Sequence, residues 1–225
     1  MIRRALQETV CSLGIISLLF VTAHAQQAKD GVVILNGGRN AIYTKAPSQI
    51  ATPSVPSNSK LVKIYSNLGT GNNVYNGVAG YGILGPDAGQ PWPQAVACGF
   101  KPKANHLVTE IDLGITYVQG TKVAVVSLNE NSKGIPGKAL HTWTFKNLPD
   151  FGTCCKLQVA KYAKGIPVKK GKMYWVMVSP NKKYTDTYDV WNNDASGEQG
   201  PFSNNIGSGW NSSIQQLTGF GVFGK

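Results

Sequence analysis

The sequence predicts an all-β protein, an antiparallel two-sheet β-sandwich that is jelly-roll-like in topology. Three observations carry this. Short apolar runs recur about every ten to fifteen residues after Lys60, clusters of Gly, Pro, Asn and Asp separate them, and no amphipathic helical period is present. Such spacing fits roughly ten strands in two packed antiparallel sheets.

Taken from the N-terminus, residues 1–25 read as a secretory signal peptide outside the fold. Arg3 and Arg4 make a positive start, "LGIISLLFV" (Leu13 to Val21) an apolar core, and Ala23-His24-Ala25 a small-x-small cleavage site. The apolar run is too short for a membrane span, and no later run reaches the roughly 18 apolar residues that a span requires. Cys11 precedes the apolar core, which argues against a lipoprotein anchor. The expected mature chain begins at Gln26, is extracellular, and is not membrane-spanning. Residues 26–59 read as an N-terminal extension or linker, because "TKAPSQIATPSVPSNSK" is rich in Pro and Ser with little apolar periodicity. Within it "GVVILNG" predicts one short strand.

The sandwich domain is expected over residues 60–225. "LVKIYSNL", "VAGYGIL" and "QAVACGF" lead it. The strongest strand is "HLVTEIDLGITYV". Leu107, Thr109, Ile111, Leu113, Ile115 and Tyr117 share one face, with Val108, Glu110, Asp112, Gly114 and Thr116 on the other, so one buried and one wet face are expected. "TKVAVVSLNE", "ALHTWTFKN", "KLQVAK", "KMYWVMVS", "TYDVWNN" and "FGVFG" follow. The segments "NENSKGIPGK", "AKGIPVKKGK" and "NNDASGEQGP" read as turns. The tetrapeptide KGIP occurs at Lys133 and again at Lys164, in both cases as an expected turn.

Removing Arg3, Arg4 and Glu8 with the leader takes the 22 basic and 11 acidic residues to 20 and 10, a net charge of +10. That surplus favours anionic partners through its long-range field. Lys156, Lys161, Lys164, Lys169, Lys170 and Lys172 cluster without an intervening acid. They are either solvated strand ends and loops or a basic patch for acidic polysaccharide, lipid head groups or nucleic acid. Nucleic acid ranks last, because no nucleic-acid-binding motif accompanies the charge.

The mature chain keeps Cys98, Cys154 and Cys155, and an exported protein is expected to form a disulfide. Zinc lacks ligands at structural spacing, no C-x-x-C is present, and a vicinal Cys154–Cys155 bond would close a small ring. Strand parity groups Cys155 with Leu157 and Val159, and Cys98 with Val96 and Phe100. The expected bridge is therefore Cys98–Cys155, with Cys154 as the alternative should a bulge shift the phase.

Glu110 and Asp112 stand two residues apart on the expected wet face, roughly 7 Å by the strand rise. Paired carboxylates at that separation suit glycoside hydrolysis, although a solubilising outer face is the favoured explanation. Asp186, Asp189 and Asp194 are candidate calcium ligands in a loop-rich stretch, without EF-hand spacing. No other cofactor is expected. The mature chain has two histidines and no G-x-S-x-G elbow, which disfavours nucleophilic catalysis. His141 shares parity with Trp143 and Phe145 at the edge of the core, and His106 is expected in solvent. Trp143 and Trp175 are expected in the core. Trp191 and Trp210, in Asn/Gly/Ser surroundings, are candidates for a sugar-stacking surface with Asn192 and Tyr188.

"SLNENSKGIPGKAL", "VKKGKMYWVMVSP", and "VWNND" with "SGW" and "FGVFG" together resemble the bacterial extracellular choice-of-anchor R family. The carrying motifs are the Gly-x-Pro-Gly turn at Gly134 to Gly137, the Gly-x-x-Tyr-Trp strand at Gly171 to Trp175, and a late strand with Trp191. The resemblance spans about Leu61 to Phe223. It implies a secreted β-sandwich often found beside cell-surface sorting signals, with no established activity and no catalytic residues. This chain shows no such signal. The expected function is a non-enzymatic extracellular module for binding or display, recognising glycans or anionic polymers. Its rivals are a glycan-cleaving enzyme using Glu110 and Asp112, and a structural surface protein without ligand.

Overall fold

Alternating apolar and polar side chains become strands almost throughout. The computed structural model describes residues 32–35, 42–46, 50–51 and 61–225, so the expected signal peptide at residues 1–25 lies outside the described residues. The strands are β1 (Val32–Leu35), β2 (Ile42–Lys45), β3 (Ile50–Ala51), β4 (Val62–Ser66), β5 (Ala79–Leu84) and β6 (Ala95–Phe100). Next come β7 (His106–Leu113), β8 (Ile115–Gln119), β9 (Val123–Ser132), β10 (Ile135–Lys146), β11 (Thr153–Cys154) and β12 (Gln158–Val168). The last are β13 (Tyr174–Pro180), β14 (Tyr188–Asn192), β15 (Gln199–Asn205), β16 (Trp210–Gln216) and β17 (Phe220–Gly224). Among the described residues the only helical segment is a 3-10 turn at Gly71–Asn73, and no helix is long and apolar enough to cross a membrane.

The fold is an all-β antiparallel sandwich. Its front layer is a six-stranded sheet ordered β10-β9-β13-β6-β15-β16. The back layer joins a four-stranded sheet, β12-β7-β17-β4, to a five-stranded one, β1-β2-β5-β14-β8. Early and late strands interleave in all three, as in Greek-key winding. The short parallel pair β11-β3 stands apart.

The core lies between the layers. Val96, Phe100, Val126, Leu128, Val176 and Phe202 face inward from the front sheet. Ile111, Leu113, Val222, Phe220, Ile83 and Trp191 answer from the back. Aromatic pairs cross the gap, with centroids 5.9 Å apart for Tyr65–Phe100 and 4.4 Å for Tyr81–Phe202. Each fully buried aliphatic or Phe side chain contributes about 1.5–3 kcal/mol, so this cluster dominates stability.

The stretch ahead of Lys60 contributes three strands. Of these, β2 pairs with β5, and Ile42 is fully buried against Leu84, Tyr188 and Val190. The buried Gln94 amide accepts from Ile42 N at 2.9 Å and donates to Ile42 O at 3.2 Å, reading the backbone as a neighbouring strand would.

Three strand and turn expectations need correction. The long strand "HLVTEIDLGITYV" is two strands, β7 and β8, which break at Gly114 and belong to different sheets. The second KGIP is not a turn: it lies inside β12, where residues 162–165 bulge between the pairs Lys161↔Glu110 and Ile166↔Val108. "NNDASGEQGP" overlaps β15, and the polar β15–β16 hairpin completes the front sheet.

The cysteines also differ from expectation. The sulfurs of Cys154 and Cys155 are at bonding distance, and Cys98 is a free, buried thiol. Inward parity holds for Cys98, whose Sγ shares a 3.2 Å hydrogen bond with Thr218 Oγ1. Cys155, however, precedes β12 and belongs to a separate small cluster with Val74 and Tyr75. The two segments therefore never meet.

Asp189 has no exposed surface, and neither carboxyl oxygen has a hydrogen-bond partner among the described residues. Burial pushes its carboxyl up to about 8, with the Lys122 ammonium pulling it down. An unfolded aspartate titrates near ~3.9. Between those values the folded chain holds a proton that the unfolded chain has released, so stability falls as pH rises from about 4 to 8. Asp189→Asn removes this titration. Thermal unfolding should show the variant a few degrees more stable than the parent at pH 8 and nearly equal at pH 4. A thiol reagent provides a second check. Burial pushes the Cys98 thiol up to about 12, so the folded chain should resist alkylation at Cys98 and take up label there only on denaturation.

Candidate functional site

On the front sheet, alternate residues of each strand point away from the core and make an outer face. Its middle row runs across all six strands in register: Thr142–Ser127–Met177–Ala97–Ser203–Ser212. One step toward the β10 end, Thr144–Val125–Ser179 and Ala95–Asn205–Trp210 continue the same face. One step the other way lie Asn129–Trp175–Gly99 and Pro201–Ile214. Ala95, Ala97, Gly99, Ser127 and Ser203 give this face small side chains.

Two cavities open on it, at opposite ends of the strands. The first, about 560 Å³, is lined by Thr142, Thr144, Ser179, Asn205, Pro93 and Lys182 among others. The second, about 480 Å³, is lined by Trp175, Asn131, Met173, Pro201, Ser212 and Lys101 among others. Both sizes suit small-molecule or sugar-ring binding. Between them, Ser127, Ala97 and Ser203 are buried, with the half-buried Met177 beside them in the row.

Local chemistry sets both ends. Asn205 Oδ1 accepts from Gly207 N at 2.9 Å and Gly209 N at 3.3 Å, which fixes the β15–β16 turn. Gly209 has φ +113°, a conformation open to glycine and costly for other residues. Trp210 follows directly, half-buried and in register with Asn205. At the other end Lys133 and Gly134 adopt positive φ in the β9–β10 turn. Ser212 Oγ donates to Gly134 O at 2.8 Å, so the hairpin tip reaches across to the opposite edge strand, β16. The Trp175 indole donates to Asn131 Oδ1 at 2.9 Å beneath that contact.

The expected sugar-binding set is divided. Trp210 lies on this face. Trp191 and Asn192 have no exposed surface, and Tyr188 is 4% exposed, so the expected exposure of Trp191 is corrected. Trp191 Nε1 donates to Gly219 O at 3.2 Å. Asn192 accepts from Thr116 Oγ1 at 2.7 Å and donates to Asn76 O at 3.0 Å. Tyr188 OH shares a 2.9 Å hydrogen bond with Thr44 Oγ1. These are supports of the back layer. Thr142, Thr144, Ser179 and Asn205 were missed, because isolated Ser, Thr and Asn in a strand carry no signal until register aligns them.

The calcium candidates do not converge. Asp186 is exposed, Asp189 is buried, and Asp194 Oδ2 accepts from Ser196 N, Ser196 Oγ and Glu198 N to cap its own turn. Among the described residues no group of three His, Cys, Asp or Glu is placed to hold a metal. Lys156, Lys161, Lys164, Lys169, Lys170 and Lys172 are all exposed, along edge strand β12 and its flanking turns. Lysines there keep an open edge from pairing with another chain. Lys169 and Lys172 also line a third cavity, beside Glu130. His141 stacks on Trp143 and Tyr162 with centroids 4.7 and 4.1 Å away, at the core's edge as expected.

Glu110 and Asp112 are not on a wet face, since they are 4% and 2% exposed. A bulge at Thr109, between the pairs Phe223↔Glu110 and Gly224↔Val108, shifts the phase of β7. It buries Val108 and exposes Leu107, the reverse of strict alternation. The Phe223 ring folds over Gly221, the register neighbour of Asp112. Burial, then the neighbouring Glu110 charge, push the Asp112 carboxyl up to about 7, while Lys161 pulls it down. Lys161 Nζ lies 3.5 Å from Glu110 Oε2.

No protein-family model, curated protein or solved structure matches the chain.

Proposed function

We propose that the chain is a non-enzymatic, secreted module that works at the cell exterior and holds an extended glycan on the outer face of the six-stranded sheet. The supporting observation is the row Thr144–Val125–Ser179 and Ala95–Asn205–Trp210, in which hydroxyls, an amide and an indole share one face. Sugars present hydroxyls around their edges and apolar C–H faces, which an indole covers while Thr, Ser and Asn take the edges. The resemblance to choice-of-anchor R domains supports the extracellular setting and brings no catalytic residue.

One observation favours a second reading, glycan cleavage by Glu110 and Asp112. Asp112 holds its proton to about pH 7 beside Glu110, the division of labour between acid and base that glycosidases use. Against it, the pair is almost wholly buried, and neither residue lines the described cavities. Cleavage that survives Glu110→Gln would eliminate this second reading.

Titration of soluble cello-, chito- and galacturonate oligosaccharides against the chain tests the binding reading. Trp210→Ala should weaken affinity by about tenfold with the melting temperature unchanged, since one stacking side chain is worth a little over ~1 kcal/mol. Trp191→Ala, by contrast, should lower the melting temperature sharply, a buried Trp→Ala change costing about 3–5 kcal/mol. Unchanged binding in Trp210→Ala would remove the face from consideration.

A further inference from the structure

We infer that the ligand of this face is a linear polyanion of the uronate-polysaccharide class, gripped at two points. The inference rests on the binding-face reading above and adds to it the charge and the minimum length of the ligand.

The charge comes from the lining. Each cavity carries one cation, Lys182 in the first and Lys101 in the second, and neither is lined by Asp or Glu. Glu130 is exposed but lines the neighbouring third cavity and not the second, and four other acids are buried. Glu110 and Asp112 are buried on β7, Asp189 within the sandwich and Asp194 in its own turn. From Gln199 to Gly224, which includes β15, β16 and β17, the chain has no charged residue at all. An approaching carboxylate therefore meets neutral donors and two lysines inside the wider field of a basic protein.

The length comes from the strand geometry. Ala95 lines the first cavity and Lys101 the second, six residues further along the same segment, which separates them by about 20 Å at ~3.3 Å per residue. The face between them carries Met177, whose apolar side chain can support a sugar's C–H surface without a competing hydrogen bond. A short oligomer reaches one lysine. A longer one reaches both, and the second contact then forms at high effective concentration.

Calorimetric titration of the full chain with a galacturonate disaccharide, a galacturonate octasaccharide and a neutral cello-octasaccharide tests this. The acidic octamer should bind about 10²-fold more tightly than the acidic dimer, and its affinity should fall as salt rises. Lys101→Gln and Lys182→Gln should each weaken the octamer about tenfold and leave the dimer's affinity changed by only one of the two. Lys164→Gln, on β12 in the back layer, should leave it unaltered. Equal loss in Lys164→Gln would overturn the inference, because the attraction would belong to the whole protein's field. Dimer and octamer binding equally would overturn the two-point grip. Neutral and acidic octamers binding equally at all salt concentrations would overturn the polyanion while leaving the binding face standing. Failure of every oligosaccharide would overturn both.

Discussion

The structure depends on one junction in the back layer, where the four-stranded and five-stranded sheets meet. Asn192 N donates to Gly114 O at 2.8 Å, Gly114 N donates to Gly219 O at 3.1 Å, and Gly219 N donates to Asn192 O at 2.7 Å. This closed triangle links the break between β7 and β8, the end of β14 and the residue before β17. Tyr75 lies over it so closely that a Cβ on Gly114 would sit 2.6 Å from a ring carbon. Only a backbone without side chains fits under that ring. Asn193 extends the junction, donating from its side chain to Tyr43 OH at 2.9 Å and pairing in backbone with Thr218. The "VWNND" segment is thus occupied in holding two sheets in one layer. Its Trp191, Asn192 and Asn193 side chains are buried and donate to Gly219 O, Asn76 O and Tyr43 OH, which keeps them from a ligand.

Burial of acids follows from the same architecture. A chain with 22 basic and 11 acidic residues gains little by burying carboxylates, yet Glu110, Asp112, Asp189 and Asp194 are all buried. Asp194 is compensated by three donors from its own turn. Glu110 has Lys161 beside it. Asp112 and Asp189 avoid the cost of a buried charge by keeping their protons, which is the cheaper course when no partner is at hand. The consequence at the surface is electrostatic. Lysines remain outside while several carboxylates disappear from it, so the exterior is more basic than the composition alone implies.

Most of the core was legible in the sequence because period-two alternation maps directly onto inward and outward faces. Val96, Cys98 and Phe100 are placed correctly by counting alone, whereas Trp175, expected in the core, is buried on the outer face while Val176 and Val178 point inward. Counting fails wherever a bulge inserts a residue. One extra residue at Thr109 reversed Leu107 and Val108, and residues 162–165 hid a strand inside what looked like a turn. The β15–β16 hairpin escaped for a different reason. Its outward residues include Ser203, Asn205, Ser212 and Gln216, so the apolar period is diluted and the Asn, Ser and Gly content resembles a loop. Trp191 was misjudged by its polar neighbours. Those neighbours are polar because the junction needs hydrogen bonds, not because water is near.

The site was the least legible feature, and the cause is physical. A ligand face on a sheet is assembled from every second residue of strands distant in sequence, here from Ala95 to Trp210, and no local motif records it. The front sheet's outer face is itself partly covered, since Ala97, Ser127 and Ser203 are buried and the β9–β10 tip crosses to Ser212. The inner face is filled by the core, and the outer side of the five-stranded sheet is packed with Ile42, Leu84, Tyr188 and Val190. On the four-stranded sheet Phe223 folds down onto Gly221, and exposed Val159 and Leu107 sit among lysines. Hydroxyl and amide side chains line both cavities of the front sheet, Thr142, Thr144, Ser179 and Asn205 at one and Asn131, Ser212 and Ser213 at the other. A polar, neutral β15–β16 hairpin would be a weak choice for building a core. It suits the wall of a groove that, in the proposed reading, binds through hydroxyls and accepts an anion.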